Sequence, residues 1–414
     1  MNNNIKETAP RLKNPWSKKE NLPSLNLLFV IWTVLLTLVC SVYPYIAAMY
    51  PKYAPYAMCA IGLISVLFFY RSTPGKLLFL SFVALFVFFF GSPVIASFAV
   101  ALVLPTALGS VMLAVSAKKH PRLSLLLLLL PSASFGIAYF LTGSIPLTLI
   151  SLIVYPPAVL LVFALVNDSS RVGAICHASV GFLAFAILII GVTVFYKYGE
   201  FSSETLKLAI DDALKFCTDA THRLFAENEE LLKPIYEAAE ISSYREIVDV
   251  EELLGALFGY IPAAIVIICN ALGFISQSGQ LNVLDGLVGS EKHPLKTLKS
   301  SKFVMSATAA VVFLLAGLLQ FIASCSGAAT FSLICETMFL ILLPGFCLSG
   351  FGSFLAKLML SKSKNKALII VLIILFAPCM LYAALTILAI SGAFNTISYH
   401  LFLKNFNRPD NFKK

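Results

Sequence analysis

The sequence predicts an all-α protein that crosses the lipid bilayer about eleven times, within a range of ten to twelve. Hydrophobic residues make up 59% of the 414 residues, charged residues only 12%, and the mean hydropathy is +0.89. A soluble domain would carry roughly 25% charged residues. A core of ordinary size cannot hide this much apolar surface, so the lipid bilayer is the expected solvent and the first expected partner of the chain.

Apolar runs of about 20 residues each, the length of a membrane-crossing helix, supply the count of eleven. The third run is short and the tenth is long, so the count is uncertain by about one. The runs lie near residues 26–43, 54–70, 76–91, 93–116, 123–141, 146–167, 172–196, 252–276, 303–324, 329–357 and 367–393.

The runs define the expected organisation of the chain. The first run follows a polar, lysine-containing tail and lacks a small-residue cleavage site, so we expect an uncleaved anchor. The predicted segments are a cytoplasmic polar tail (1–25), an N-terminal membrane bundle (26–197), an acidic extracytoplasmic helical segment (198–251), a C-terminal membrane bundle (252–395) and a basic tail (396–414).

Basic residues orient the chain, because positive loops mark the cytoplasmic side of a membrane. If every run crosses once, the basic loops share a side with the N-terminal tail, which places the N-terminus inside the cell. The residues concerned are Arg71, Lys76, Lys118, Lys119, Arg122, Arg171, Lys292, Lys296, Lys299, Lys302, Lys357, Lys362, Lys364 and Lys366. Eleven crossings leave the basic C-terminal tail outside, so either one run is miscounted or this short tail is tolerated there.

The net charge of +9 is therefore interpreted as an orientation signal. A nucleic-acid-binding protein mixes basic and aromatic residues on one surface. Here the basic residues form short clusters between apolar runs, so no nucleic-acid partner is expected.

The segment between Glu200 and Glu252 differs from the rest, because it holds fourteen acidic and five basic residues. Leu206, Ile210 and Leu214 recur at helical spacing, which predicts an amphipathic helix. Pro234 interrupts the pattern, and a capping-box spacing at residues 243–246 predicts a second helix. Two interpretations stay open: a hairpin lying on the membrane surface with its acids solvated, or a cap that binds a cation or a protein partner.

Glu336 is the only charged side chain placed within a long apolar run. A carboxylate at mid-bilayer costs on the order of 3 kcal/mol by insertion scales, so such a residue is a candidate for proton or ligand binding. The run that holds it is longer than the bilayer requires, however. If the span begins near Met338, Glu336 lies at the outer interface instead.

Further candidates for ligand binding are Tyr155, Pro156 and Pro157, in the middle of the sixth run. A double proline removes backbone hydrogen bonds, so it predicts either a broken helix that lines a cavity or a plain kink. His177 and Asn270 are polar residues within spans, where hydrogen bonds between helices are the commoner role.

Enzyme, metal and cofactor signatures are missing from the sequence. It contains no HExxH, GxSxG or phosphate-binding GxxxxGK[ST] motif, and the nine cysteines have no metal-binding or redox spacing. We therefore expect neither an enzyme nor a bound cofactor.

The order of parts resembles the YybS-like family of predicted bacterial membrane proteins. The resemblance rests on the stretches "ETLKLAIDDALKFC", "ELLGALFGYIPAAIVIICNALGF", "SEKHPLKTLKSSKF" and "ILLPGFCLSGFGSFLAKLML". It implies a multi-pass protein of the bacterial cell membrane. The N-terminal half is similar in style to the substrate-binding membrane subunits of energy-coupling-factor vitamin transporters, although the first span lacks their small-residue face.

Two classes of function follow from these features. The first is a transporter-like permease or substrate-capture subunit for a small molecule or ion, with a cavity near the double proline and a contribution from Glu336. The second is a membrane scaffold or regulator that binds a protein partner through the acidic exterior segment. A buried Glu336 facing the double proline would favour the first class.

Overall fold

A computed structural model describes residues 25–70, 72–90, 93–119, 121–167, 169–227, 233, 250–288, 305–360 and 381–406 of the chain. Within these ranges the regular secondary structure is helical and contains no strand, so the predicted all-α class is confirmed. In chain order the described helices are α1 (Leu27–Met49), α2 (Ala54–Phe69), α3 (Thr73–Phe90), α4 (Pro93–Lys119), α5 (Pro121–Thr142), α6 (Ile145–Ile150), α7 (Tyr155–Val166), α8 (Arg171–Tyr198), α9 (Ser203–Glu227), α10 (Val250–Phe258), α11 (Ile261–Val288), α12 (Ala307–Cys325), α13 (Ala329–Leu360) and α14 (Leu381–Phe406).

Two compact units divide the helices. Unit 1 comprises Met1–Gly199 and Ile268–Lys302, and unit 2 comprises Glu200–Ile267 and Phe303–Lys414. Unit 1 therefore holds α1 to α8 and most of α11, while unit 2 holds α9, α10, the first turns of α11 and α12 to α14.

Membrane-crossing length and hydropathy are found in eight of the helical segments that the structure describes. They belong to α1, α4, the α6–α7 pair, α8, α11, α12, α13 and α14. Three shorter apolar stretches, Ala54–Phe69, Gly75–Ala84 and Leu129–Thr142, coincide with the remaining predicted runs. The protein is thus a multi-pass helical membrane protein that contacts the bilayer.

Unit 1 is built around α4, which contacts α1, α2, α3, α5 and α7. In the span of α4, 78% of the residues are buried within the protein, and Val100, Leu104 and Leu108 are fully enclosed. The surrounding helices leave large apolar side chains open, such as Phe68 of α2 at 76% and Phe140 of α5 at 89% exposure. This contrast is typical of a bundle whose outer surface faces lipid.

Unit 2 contains a three-helix core made by α12, α13 and α14. Phe313 of α12 stacks on Phe339 of α13 with ring centroids 4.6 Å apart, and it also contacts Phe346 at 5.0 Å. Such aromatic contacts add about 0.5–1.5 kcal/mol to the stabilisation from burial.

The acidic segment begins with α9, which matches the predicted amphipathic helix. Gly199 ends α8 in the left-handed conformation with φ of 80°, a backbone state that glycine adopts without steric cost. α9 starts four residues later and contacts α10. The predicted interruption at Pro234 and the capping box at residues 243–246 lie outside the described residues.

Candidate functional site

A polar stretch near the end of α11 is buried inside unit 1. We call residues 276–282, "SQSGQLN", the polar segment. Apolar residues flank it in the same helix, including Val283 and Leu284, which are fully buried. Its polar members are between 0% and 6% exposed: Ser276, Gln277, Ser278, Gln280 and Asn282.

Part of the polar segment is held by hydrogen bonds. The Asn282 amide nitrogen donates to the Ser278 carbonyl oxygen at 2.8 Å, and the Ser72 hydroxyl donates to the Asn282 side-chain oxygen. Gln280 donates to the Leu161 carbonyl oxygen of α7 at 3.5 Å. These bonds connect α11 to α7 and to the turn before α3.

The remaining polar atoms of this region lack partners within the protein. The unpartnered oxygens are the hydroxyls of Tyr70, Ser276 and Ser278 and the side-chain carbonyl of Gln277. A buried polar group without a partner costs about 1–3 kcal/mol. Four such groups in one region form a large local penalty, which a bound polar molecule would offset.

Gly279 brings the Tyr70 hydroxyl directly against α11. A Cβ atom at this position would overlap the Tyr70 hydroxyl oxygen and lie 3.0 Å from the Cβ of Ala107. The tyrosine lies across the helix backbone because glycine has no side chain there. The arrangement packs α2, α4 and α11 together at the polar segment.

The double proline forms a helix start. Residues 151–154 are turns between α6 and α7, and the bonds from Ser151 N to Thr148 O and from Tyr155 N to Leu152 O have the tighter 3₁₀ spacing. Pro156 and Pro157 then occupy the first turn of α7, where a missing N–H leaves no bond unmade. The predicted interruption is therefore a break between two short helices.

Close packing covers part of this break. A Cβ atom on Gly181 of α8 would lie 2.7 Å from the Pro157 backbone. On α4, Thr106 donates to the Val154 carbonyl oxygen at 3.4 Å and to its own helix at Leu102 O, at 2.7 Å.

Tyr155 begins a chain of hydroxyl groups. Its hydroxyl lies 2.6 Å from the Ser134 oxygen, and the Ser41 hydroxyl lies 3.0 Å from that same oxygen. Ser134 and Ser41 are 0% and 5% exposed. The chain therefore connects α7, α5 and α1 inside unit 1.

A cavity of about 130 Å³ adjoins the Ser41 end of this chain. Liquid water takes up roughly 30 Å³ per molecule, so the cavity has room for a few waters or one small solute. Its lining is mixed, with hydroxyl groups beside apolar walls: Ser41, Val42, Pro44, Tyr45, Ala48, Ala138, Leu141, Thr142 and Leu147.

Helix α4 lies beside two of these features in unit 1. Neighbouring residues of α4 contact both the helix break, through Thr106, and the polar segment, through Ala107 beside Gly279. We call the sequence of cavity, hydroxyl chain, Thr106 and polar segment the polar track. The polar side chains that define the track are neutral and offer hydroxyl and amide groups.

His177 and Asn270 lie apart from this contact sequence. The Nδ1 atom of His177 is 2.6 Å from the Gly173 carbonyl oxygen one turn earlier in α8, and its ring packs near Phe163. Asn270 is half-buried on α11, two turns before the polar segment begins. Both remain predicted binding residues.

Glu336 is half-buried in α13 of unit 2 and accepts a hydrogen bond from the Tyr260 hydroxyl at 3.0 Å. Tyr260 precedes the first residue of α11, so it lies at the start of a membrane span. Glu336 is seven residues from the first residue of α13, about 10 Å along the axis. Both positions favour the interface interpretation, and the double proline belongs to the other unit.

Sequence reasoning missed the polar segment because its residues carry no charge. The predicted eighth run ends at residue 276, where the apolar pattern stops. The available signal was the helical spacing of Leu281 and Leu284 beyond it, which continues the apolar face of α11. Tyr70 had no sequence signal at all, since a tyrosine beside a basic loop is common at membrane interfaces.

Metal chemistry finds no support among the described side chains, where no group of three or more His, Cys, Asp or Glu residues could hold an ion. The polar track instead offers hydrogen bonds to a small solute. Comparisons with protein-family models, curated proteins and solved structures gave no match for this chain.

Proposed function

We propose that unit 1 is a transporter-like permease or substrate-capture subunit that binds a small polar solute. The observation that supports this proposal is the polar segment, whose unpartnered oxygens lie buried in an otherwise apolar bundle. Polar groups within membranes are costly and commonly mark the path of a substrate. A solute that hydrogen-bonds to the Tyr70, Ser276 and Gln277 side chains would remove the penalty they impose.

The closed packing at Gly279 implies a conformational step. A solute cannot reach the Tyr70 hydroxyl while that oxygen lies against the α11 backbone. We infer that α2 and α11 separate locally during binding. The helix break at residues 151–154 supplies a place where the bundle can move, because interrupted helices flank the sites of many transporters.

The topology proposed from the sequence gives the polar track a direction. With about eleven crossings and the N-terminus inside, the Ser41 cavity lies towards the extracytoplasmic side, since α1 runs outward and residue 41 is in its second half. The polar segment lies towards the cytoplasm, the side on which the sequence places the basic loops. A solute would then enter at the cavity and reach the polar segment on the inner side.

A second candidate function is a membrane scaffold that binds a partner through the acidic exterior segment. The favouring observation is the exposure of apolar side chains on and just before α9, where Phe201 is 63%, Leu208 53% and Phe216 73% exposed. The same exposure suits an amphipathic helix that lies in the membrane interface, with acids solvated on its other face. We propose the surface hairpin for this segment and keep partner binding as the alternative.

The YybS-like resemblance concerns the order of the parts and implies a bacterial cell membrane, and it brings no activity with it. No catalytic role is proposed for the polar track. Its hydroxyl and amide groups lack an adjacent general base among the described residues, which suits binding rather than bond cleavage.

Ligand-induced stabilisation of the purified full-length chain tests the proposal. The protein in phosphatidylcholine nanodiscs is unfolded thermally with a panel of small polar solutes, each uncharged or singly charged. A solute at one hundred times its Kd stabilises by about 2.7 kcal/mol. This corresponds to an increase in Tm of roughly 5–10 °C for a unit of this size.

The matched variants are a double change at the site, Ser276→Ala with Gln277→Leu, and a control, Ser116→Ala. Ser116 is equally buried on α4, but its hydroxyl donates to Leu113 O at 3.1 Å. Stabilisation that disappears in the site variant and persists in the control supports the proposal. A panel without any stabilising solute, or stabilisation that the site variant retains, contradicts it.

A further inference from the structure

Arg171 lies beside α11, the helix that carries the polar segment. It is the first residue of α8, and its guanidinium carbon lies 5.8 Å from the centroid of the Phe274 ring on α11. This distance is within the range of a cation–π contact. The side chain is half-buried, although an arginine at a helix end commonly extends into the headgroup region.

The Arg171 guanidinium has an unused donor. Its Nε atom is buried and makes no hydrogen bond within the protein. No carboxylate pairs with this side chain among the residues the structure describes, and Asp168 lies outside them. Asp285, an acid on α11, is eleven residues beyond Phe274, about 16 Å along the helix axis.

The helix that carries Arg171 also favours an anion. The N-terminus of α8 has the positive end of the helix dipole, and its first turn contains no acidic residue. A cation at this end is disfavoured by its own helix, so the positive field is not compensated locally. An anionic group beside Arg171 would satisfy both the side chain and the dipole.

Unpartnered groups of α11 lie next to this position. Gln277 and Ser278 are three and four residues after Phe274, so they share its face of the helix. They are 3% and 5% exposed, and the Gln277 side-chain carbonyl and the Ser278 hydroxyl have no partner within the protein. By this spacing, the hydroxyl of Ser278 and the carbonyl of Gln277 come one turn after the ring that Arg171 contacts, on the same face of α11.

We propose that Arg171, Gln277 and Ser278 bind the anionic end of the solute, and that the solute is a small carboxylate that also carries a hydrogen-bond donor, such as a hydroxy acid. This rests on the proposed function. The guanidinium donates to the carboxylate oxygens, which arginine binds in a fixed fork geometry. The Ser278 hydroxyl donates a further bond, and the Gln277 carbonyl accepts one from the solute hydroxyl.

An anionic lipid headgroup has the same chemistry at its negatively charged oxygens. The experiment therefore separates the two sources by lipid composition. The full-length chain is placed in nanodiscs of phosphatidylcholine alone or with phosphatidylglycerol added. Tm is then measured with hydroxy acids of two to six carbons, each paired with its uncharged amide.

The expected result in phosphatidylcholine is that at least one hydroxy acid raises Tm while its amide does not. Arg171→Gln should weaken binding of that acid by roughly 10- to 100-fold, the value of a charged hydrogen bond. Arg171→Lys keeps the positive charge but not the planar guanidinium, so it should weaken binding of the acid less than Arg171→Gln does. The control Arg122→Gln changes an exposed arginine at the start of α5 and should bind as the unmodified chain does.

If phosphatidylglycerol raises Tm, removes the effect of the acids and loses its own effect in Arg171→Gln, the anion site is supported and lipid is the source of the anion. The inference is overturned if the amides raise Tm as much as their acids do and Arg171→Gln leaves both effects unchanged. If that amide effect disappears in Gln277→Leu, the proposed function stands without the charge preference. If neither acids, amides nor lipid stabilise the chain, both proposals fail.

Discussion

Gln277 shows how much one uncharged side chain can matter in an apolar bundle. Its amide is 3% exposed and its carbonyl oxygen has no partner within the protein. A side chain kept only for packing would be better as leucine. The polar group is therefore expected to lower the free energy of unfolding of the empty protein and to bind the solute.

Gln277→Leu should raise the free energy of unfolding of the ligand-free chain by about 1–3 kcal/mol, because it removes an unsatisfied buried acceptor. Thr106→Val is the contrast, since this hydroxyl already donates to Leu102 O and Val154 O. Its loss should cost about 0.5–1.5 kcal/mol. Thermal unfolding in detergent measures both variants. If Gln277→Leu lowers the unfolding midpoint as much as Thr106→Val does, Gln277 stabilises the empty protein. That result would contradict the binding role.

Glu336 is expected to anchor α13 to the start of α11 through Tyr260. Tyr260→Phe removes the 3.0 Å hydrogen bond and should lower the free energy of unfolding by about 1 kcal/mol. Glu336→Gln keeps an acceptor and should change stability less. Thermal unfolding compares the two, and a solute-binding assay between pH 5 and 8 provides the second readout. A pH dependence of binding that Glu336→Gln removes would restore the proton-carrier interpretation.

These two residues also show what sequence reasoning can find. Glu336 was identified because a charge within an apolar run is conspicuous, but its partner lies 76 residues away and only the structure reveals it. Gln277 was missed because neutral polar residues at the end of a run resemble the beginning of a loop. The structure encloses that stretch as helix, where Tyr70, Ala107 of α4 and Leu161 of α7 contact it.

Helix packing in unit 2 depends on two glycines that meet face to face. A Cβ atom on Gly350 of α13 would overlap the Leu388 carbonyl oxygen, and one on Gly392 of α14 would overlap the Phe346 carbonyl oxygen. Each overlap is with backbone, which cannot rotate away. Small residues at such crossings let membrane helices approach closely.

Gly350→Ala should therefore lower the free energy of unfolding of unit 2 by about 1–3 kcal/mol through overpacking. Gly352→Ala is a matched control on the same helix, because no described atom from beyond the adjoining backbone lies within 4 Å of its Cβ position. Alanine there should stabilise the helix by up to about 1 kcal/mol. Thermal unfolding of the full chain distinguishes the pair, and equal effects of the two changes would refute the close crossing.

The elements themselves were largely predictable from hydropathy. Each predicted apolar run overlaps a described helix, and the double proline at residues 156–157 correctly indicated an interruption. Hydropathy failed at the end of α11, which continues to Val288 although the run ended at residue 276. Part of the last run, from 367 to 380, lies outside the described residues.

At the scale of the whole molecule, eight described segments are long and apolar enough to span the bilayer, and three shorter apolar helices accompany them. The count of about eleven crossings and the position of the acidic segment outside the cell remain predictions. They follow from loop charge, which orients membrane proteins through lysine and arginine.

Cysteine labelling of intact cells tests this topology. In a variant without native cysteines, Asp211→Cys on α9 should react with a membrane-impermeant maleimide added outside. Arg122→Cys, exposed at the start of α5, should react only after the cells are opened. Labelling of both positions from the same side would show that the proposed topology is wrong.

The central claim is that the polar track opens to water, and one measurement tests it most directly. Ser276→Cys in the cysteine-free chain is treated with a small, charged thiol reagent and compared with Ile187→Cys, whose side chain is 60% exposed on the apolar surface of α8. We predict that residue 276, although fully buried, reacts faster than residue 187, because local opening hydrates the track while lipid excludes the reagent at α8. Reaction at residue 276 that is no faster than at residue 187 would contradict the claim.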